Sequence, residues 1–243
     1  MSCMELRNVS YTYPGEKMPV INNLTLQVER GTCLAVRGDN GSGKTTLFRL
    51  LNGLAFPDTG RYMFEGTIIT EKYLKNNRAS KAFHKKIGYL FQNPDVMLFN
   101  GTVYDEIAFG PRQMGLPDEE TDRRTRDCLQ LFGIGHLAEK APYHLSGGQK
   151  KRVALAAVMA LNPDVLILDE PMAGLDAGSR AFLHDFLSQL KKAGKTLIMA
   201  THGEQLVRDL ADQVLVMEMP DTEMPNMEMP NMEMSDTETP ETV

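Results

Sequence analysis

The chain has 243 residues, of which 42% are hydrophobic and 24% are charged, a composition typical of a globular domain with a buried core. The longest uninterrupted apolar run, residues 153–161, is about half as long as a membrane span, so no transmembrane segment is predicted. The net charge of −6 comes from the end of the chain. Eight acidic and no basic side chains follow from Met217 onward, which leaves 24 acidic and 26 basic side chains before it and excludes the strongly basic surface of a dedicated nucleic-acid binder.

Short apolar or alternating runs predict strands at residues 4–13, 20–28, 32–37, 87–91, 165–168, 196–200 and 213–217. Helical patterns occur at residues 44–51, 103–161 and 179–192, and between the last two strands. The long helical stretch is expected to break at Gly110-Pro111, Gly115, Pro117 and Gly133. Strand–helix alternation at both ends of a helical middle indicates an α/β core with an inserted helical subdomain.

A glycine-rich motif follows the third predicted strand. Its residues match the phosphate-loop pattern GxxxxGK[ST]: Gly38, Asp39, Asn40, Gly41, Ser42, Gly43, Lys44 and Thr45, followed by Thr46. Glycines allow positive φ angles and bring backbone N–H groups close to a phosphate, and the next helix adds the positive end of its dipole. We therefore expect ATP to bind here, with Lys44 at the β- and γ-phosphates and the Thr45 hydroxyl on Mg²⁺.

Two acidic residues, Asp169 and Glu170, end the apolar run at residues 165–168. Both are expected at the carboxyl edge of a sheet, where ligands of α/β proteins bind. Asp169 is predicted to hold Mg²⁺, directly or through water. Glu170 is predicted to polarise the water that attacks the γ-phosphate.

A third motif precedes a helical run. Leu145 is followed by Ser146, Gly147, Gly148 and Gln149. Ser146 is a good N-cap, and the two glycines leave the first-turn N–H groups open to a second anion. The sequence LSGGQ, placed shortly before the LILDE strand, is highly specific to ABC (ATP-binding cassette) ATPases, and the chain therefore resembles that family.

Four other positions match the pattern of this family in order. Gln92 resembles the glutamine that senses Mg²⁺ and the attacking water, and His202 resembles the histidine that contacts the γ-phosphate. Asp176 resembles the aspartate that links paired active sites. Tyr13 resembles the aromatic residue that stacks on adenine, although Tyr11 is close to it in the chain.

The resemblance covers residues 4–217 and implies a P-loop NTPase fold: a RecA-like core, an antiparallel β part and a helical subdomain at about residues 93–162. The cassette is expected to span residues 1–217. Two cassettes, identical or different, are expected to face head to tail, with ATP between the phosphate loop of one and the LSGGQ motif of the other.

Residues 218–243 form an acidic five-residue repeat rich in Met and Pro, which predicts a disordered tail. Binding of Cu(I) by its thioethers is the alternative interpretation of the methionines.

Within the family, residues 91–99 and 102–111 resemble the energy-coupling-factor group, which includes cobalt, nickel and vitamin importers. Met97 stands where that group usually has glutamine. The resemblance implies integral membrane transport subunits as partners and a peripheral position on the cytoplasmic face of the membrane. Three widely separated cysteines fit a reducing compartment better than a disulfide framework.

Other ABC ATPases act outside transport, on nucleic acid or the ribosome. Chromosome-associated members carry long coiled coils before LSGGQ, whereas Gln92 and Ser146 are only 54 residues apart in this chain. Ribosomal members normally have two cassettes in one chain. A non-hydrolysing cassette would be expected to lack Glu170, His202 or LSGGQ. We therefore expect a Mg²⁺-dependent ATPase coupled to transport, with no nucleic-acid partner.

Overall fold

The structure, a computed structural model, describes residues 2–219. Within them the strands are β1 (Ser2–Tyr11), β2 (Ile21–Glu29), β3 (Cys33–Arg37), β4 (Thr59–Phe64), β5 (Thr67–Ile68), β6 (Ile87–Leu90), β7 (Val165–Asp169), β8 (Thr196–Ala200) and β9 (Gln213–Val216). The α-helices are α1 (Lys44–Leu51), α2 (Glu71–Leu74), α3 (Asn77–Lys86), α4 (Val103–Gln113), α5 (Asp118–Leu131), α6 (Gly147–Met159), α7 (Ala177–Lys192) and α8 (Glu204–Leu210).

Five strands form a parallel sheet in the order β6-β7-β8-β3-β9. Its central strands are mostly apolar and are buried except at Arg37, as expected of a sheet covered on both faces. Alternate residues of β7 enter two different core clusters: Leu166 and Leu168 one, Val165 and Ile167 the other. Because the strands run in the same direction, their carboxyl ends meet at one edge, which brings the predicted site residues that follow β3, β6, β7 and β8 together.

The second sheet is antiparallel, with the order β2-β1-β4-β5. It shares a core cluster with α1, where the buried Tyr62 hydroxyl donates a hydrogen bond to the Leu51 carbonyl oxygen at 2.9 Å. The contact ties the antiparallel sheet to the helix that follows the phosphate loop. The expected α/β architecture with an antiparallel β part is therefore present.

Helices α4, α5 and α6 lie in the chain between β6 and β7, and they pack through buried residues such as Ile107, Phe132 and Val153. The predicted break at Gly110-Pro111 is wrong, because α4 continues to Gln113. Pro111 is buried, and the packing of this helix face offsets the one hydrogen bond that proline cannot donate. The helices end instead near the other predicted breaks, where Gly115 and Gly133 have positive φ angles.

Sequence patterns missed the elements between α1 and β6, namely β4, β5, α2 and α3. Helix α3 is mostly polar and buries only Phe83, so its apolar face is too small to stand out in the sequence. Strand β5 has two residues and both are exposed, which leaves no alternation to detect.

Among the residues that the structure describes, no helix has both the length and the apolar character that crossing a bilayer requires. Two predictions concern the repeat at the end of the chain: that it is disordered, and the alternative that it binds Cu(I). From residue 220 onward the repeat lies outside the described part of the chain. The division into a cassette at residues 1–217, a helical subdomain at about 93–162 and a tail stays a prediction.

Candidate active site

A cleft of about 330 Å³ lies at the carboxyl edge of the parallel sheet. It is lined by Tyr13, Val20, Asn40, Gly41, Gly43, Lys44, Thr45, Thr46, Gln92, Asp169 and Glu170. All of these except Val20 are residues that the sequence singled out. Residues from four separate parts of the chain therefore converge on one small volume.

The phosphate loop requires glycine at two positions because of its backbone. Gly38 has φ 150°, and a Cβ there would lie 2.3 Å from the Met217 carbonyl oxygen. Gly43 has φ 92°, and a Cβ there would lie 3.0 Å from the Val20 carbonyl oxygen. Any larger residue would open the loop or displace its neighbours, so the tight curvature that gathers the N–H groups depends on these glycines.

The Lys44 ammonium lies inside the loop and donates hydrogen bonds to the carbonyl oxygens of Gly38 at 2.7 Å and Asp39 at 2.8 Å. Helix α1 begins at Lys44 without a side-chain cap on its first turn. The Ser42 hydroxyl is buried and has no hydrogen-bond partner within residues 2–219. An uncapped helix start, a cation and an orphaned hydroxyl together form a suitable cradle for phosphate.

Thr45 and Asp169 form a second part of the cleft. The Thr45 hydroxyl donates a hydrogen bond to Asp169 Oδ2 at 3.0 Å. Asp169 is 4% exposed, and burial raises the pKa of its carboxyl while the Thr45 hydrogen bond and the Lys44 charge lower it. No group of three or more His, Cys, Asp or Glu side chains that could hold a metal occurs in the described residues. A magnesium ion bound by Thr45 and Asp169 would therefore take its remaining ligands from phosphate and water, as Mg²⁺ commonly does.

Glu170 lies immediately after β7 and turns its carboxylate toward His202. His202 Nε2 is 3.4 Å from Glu170 Oε1, close enough for an ion pair, although Oε1 has no hydrogen bond in the described structure. Burial raises the pKa of Glu170, and the positive charge available on His202 lowers it. A half-buried carboxylate with an elevated pKa beside an exposed histidine has the properties of a general base.

Tyr13 rather than Tyr11 lines the cleft. Its hydroxyl lies 3.0 Å from Thr46 Oγ1, and its ring meets the ring of Tyr11 edge-on at 5.1 Å between centroids. The Arg49 guanidinium lies 5.7 Å from the centroid of the Tyr13 ring. The aromatic ring is therefore held at the rim of the phosphate loop from two sides.

The LSGGQ motif forms a separate feature. Ser146 caps α6, and a capping box joins it to Gln149: the Gln149 N–H donates to Ser146 Oγ at 3.4 Å, and the Ser146 N–H donates to Gln149 Oε1 at 3.0 Å. A Cβ on Gly148 would lie 3.6 Å from Asp176 Oδ2. None of Ser146, Gly147, Gly148, Gln149 or Asp176 lines the cleft that holds Lys44, so the predicted site residues fall into two groups.

Three residues at these sites gave no signal in the sequence. Val20 and Arg49 contact the cleft or its aromatic wall, but a valine in a strand and an arginine in a helix are common. Lys151 follows LSGGQ in a basic run that suggests a solvated surface, yet it is buried and bonded to backbone carbonyl groups. Only its contact with the turn that follows β7 distinguishes it from Lys150, which makes an ion pair with the exposed Asp95.

Comparison with known proteins shows which family and which solved structures this chain is similar to. The family model for ABC transporters matches residues 21–173. The nickel import ATP-binding protein LarO of Lactiplantibacillus plantarum is 46% identical over 213 residues, 88% of each chain. The solved structure of cbiO1 from Clostridium perfringens, described as part of the ABC transporter complex cbiONQ, matches with a TM-score of 0.77 at 36% identity and covers 90% of this chain and 86% of that one. An ATP-binding cassette solved as a dimer with ADP and Pi matches with a TM-score of 0.80 at 26% identity over 89% of this chain and 96% of that one.

Proposed function

This chain belongs to the ABC transporter family, and we propose that it is the ATP-hydrolysing subunit of a membrane importer. One observation carries the proposal: a single cleft holds Lys44, the Thr45–Asp169 pair and Glu170. Hydrolysis of ATP needs a phosphate cradle, oxygen ligands for a divalent cation and a group that orients water, and the cleft supplies all three.

The phosphate loop would bind the nucleotide. Its N–H groups would bind the phosphates of ATP, and Lys44 would exchange the carbonyl oxygens of Gly38 and Asp39 for oxygens of the β- and γ-phosphates. Tyr13 would stack on adenine, because it is the aromatic residue at the rim of the cleft.

Hydrolysis would depend on the carboxylate at the end of β7. Glu170 would accept a proton from the attacking water, and the neighbouring His202 would contact the γ-phosphate. Thr45 and Asp169 would hold Mg²⁺, with the Gln92 amide close to it in the same cleft. When bound, Mg²⁺ neutralises negative charge on the phosphates.

A second cassette would complete the site. The capped start of α6 at Ser146 offers the N–H groups of Gly147 and Gly148 to an anion outside the Lys44 cleft. We propose that this surface contacts the γ-phosphate of ATP held by a partner cassette, with Asp176 at the junction. The relative with ADP and Pi is a dimer, which supports the arrangement. The partner can be a second copy or a different cassette.

An apolar groove near α4 would receive the membrane partner. Val96 is 68% exposed and Phe99 is 67% exposed, and Phe99 and Phe109 line a cavity of about 220 Å³. The N–H groups of Phe99 and Asn100 donate to the buried Glu106 carboxylate at 2.9 and 2.7 Å, which fixes the turn that presents Phe99. Exposed apolar patches of this kind mark interaction sites. A cytoplasmic segment of an integral membrane subunit would bind here and hold the chain at the cytoplasmic face.

The names of two relatives indicate which class of substrate to propose as the cargo. LarO is named as a nickel import protein, and cbiO1 is described as part of the cbiONQ complex. We propose an importer of the energy-coupling-factor type whose cargo is a metal ion such as cobalt or nickel, or a vitamin. The cassette would occupy residues 1–217.

Affinity purification of a tagged Glu170→Gln chain from its native membranes in mild detergent, followed by mass spectrometry, tests this function. Co-purification of a small integral membrane protein with a second cassette is expected, and a substrate-binding subunit in the complex would identify the cargo. Recovery of ribosomal or DNA-associated proteins without a membrane protein would contradict the transport role and favour an ABC ATPase that acts on nucleic acid or the ribosome.

A further inference from the structure

Lys151 is a buried lysine on α6, in the second turn after the Ser146 cap. It is 4% exposed, and its ammonium donates hydrogen bonds to the Glu170 carbonyl oxygen at 3.1 Å and to the Ala173 carbonyl oxygen at 3.0 Å. Burial lowers the pKa of this lysine, while the Glu170 charge raises it. A buried cation is costly unless it is well bonded, so these two carbonyl contacts set where the side chain can lie.

The backbone of Glu170 needs such a constraint. Its φ is 44°, in the left-handed region where a residue with a Cβ is strained. Its N–H donates to the Ala200 carbonyl oxygen at 3.0 Å, and its own carbonyl oxygen accepts from the Ala173 N–H at 3.1 Å and from Lys151. These bonds hold the backbone of Glu170 on both sides of its Cα, and from this fixed backbone the carboxylate reaches the cleft and His202.

The same ammonium spans both ends of the turn from Glu170 to Ala173. This turn leads on to Asp176, which caps α7 by accepting from the Ser179 N–H at 2.9 Å and lies beside Gly148. Lys151 therefore connects the helix that begins with LSGGQ to the backbone of the carboxylate that the proposed function makes the general base.

We propose that Lys151 is a positioning residue for hydrolysis, which holds the Glu170 turn against α6 so that the Glu170 carboxylate faces the attacking water. The inference rests on the proposed ATPase activity and deepens it. Lys151 touches neither ATP nor water in this role, and it acts through the Glu170 backbone.

The test compares steady-state ATP hydrolysis by full-length variants. Lys151→Met keeps the length of the side chain and removes its donors. Lys191→Met is the matched control, because Lys191 also donates to a carbonyl oxygen, that of Leu210 at 2.7 Å, but on the α7–α8 side of the molecule. We expect Lys151→Met to lower kcat by about 100-fold, the scale of a misplaced reacting group. The KM for ATP should change by less than about twofold, since ground-state binding is retained. Lys191→Met should leave both values within about twofold.

A double-variant comparison separates positioning from general loss of structure. If Lys151 acts through Glu170, adding Lys151→Met to Glu170→Gln should lower the residual rate by less than about threefold, since the two losses share one cause. A further loss of about 100-fold would overturn the inference, as would a wild-type kcat in Lys151→Met. If Lys151→Met does not fold, Lys151→Gln takes its place in the same comparisons with the same expected direction, because its shorter side chain cannot bring a donor to the position of the ammonium.

The inference and the proposed function fail in distinguishable ways. A wild-type chain that does not hydrolyse ATP, or a Glu170→Gln chain with the wild-type rate, contradicts the proposed function. Only the role of Lys151 is contradicted if the wild type is active, the Glu170→Gln chain is impaired and the Lys151→Met chain is fully active.

Discussion

The Thr45 hydroxyl lies 3.0 Å from Asp169 Oδ2, although 124 residues separate them in the chain. The contact joins the first turn of α1 to the end of β7 and presents two oxygens on one side of the phosphate loop. A hard divalent cation prefers such oxygen ligands. Burial raises the pKa of the Asp169 carboxyl, and a cation bound beside it would lower that pKa again.

We expect Thr45→Val to raise the Mg²⁺ concentration for half-maximal ATP hydrolysis by about 10- to 100-fold, because one oxygen ligand is lost while the side-chain shape is kept. Chelation with EDTA should stop hydrolysis by the wild type, and a Mg²⁺ titration of the rate measures both effects. Thr67→Val, at an exposed threonine of β5, serves as the control. An unchanged Mg²⁺ dependence in Thr45→Val would remove Thr45 from the metal site.

Lys44→Ala should weaken ATP binding on the order of 10- to 100-fold, because hydrogen bonds from a charged group to phosphate are lost. Calorimetric titration with a non-hydrolysable ATP analogue measures the change in affinity. Lys85→Ala, an exposed lysine on α3, should bind as the wild type does. Equal affinity in the Lys44 and Lys85 variants would show that Lys44 contributes nothing to nucleotide binding.

The rate of hydrolysis should fall on the acid side at a pH above the ordinary pKa of glutamate. Burial raises the pKa of Glu170, and the carboxylate accepts a proton only when it is ionised, so the rate is lost as the pH falls through the raised value. A pH profile of kcat under saturating ATP and Mg²⁺ tests this. The residual activity of Glu170→Gln should lack that acid limb, and an identical limb in the variant would assign it to another group.

The groove beside α4 predicts a variant that separates membrane assembly from catalysis. Phe99→Asp should abolish co-purification of the membrane subunit, because a charge would replace an exposed apolar ring at the centre of the contact. Hydrolysis by the isolated chain should stay within about twofold of the wild type, since Phe99 lies outside the nucleotide cleft. Leu131→Asp, at an exposed leucine that ends α5, is the control. Normal assembly with Phe99→Asp would exclude this groove.

Contiguous motifs predicted much of the cleft. The phosphate loop and the Asp169–Glu170 pair are each short runs whose backbone conformation and position after a strand follow from their own residues. The capping box of Ser146 and Gln149 is equally local, because both partners lie within one helical turn.

Residues that act through long-range packing could not be recognised in this way. Only the family resemblance favoured Tyr13 over the nearby Tyr11, and the path of the chain after β1 is what puts Tyr13 at the cleft. Arg49 and Lys151 belong to residue types that are usually solvated, and their roles depend on which elements pack against them.

By itself, the sequence determined the family resemblance, the parallel core strands and the groups that would bind phosphate, because these depend on local backbone conformation and residue chemistry. Only the tertiary structure decided that Glu170 meets His202, that Lys151 bonds the Glu170 turn, and that the LSGGQ helix start lies outside the Lys44 cleft. Those relationships arise where parallel strands distant in sequence bring their ends to one edge, and no local pattern encodes the distances between them.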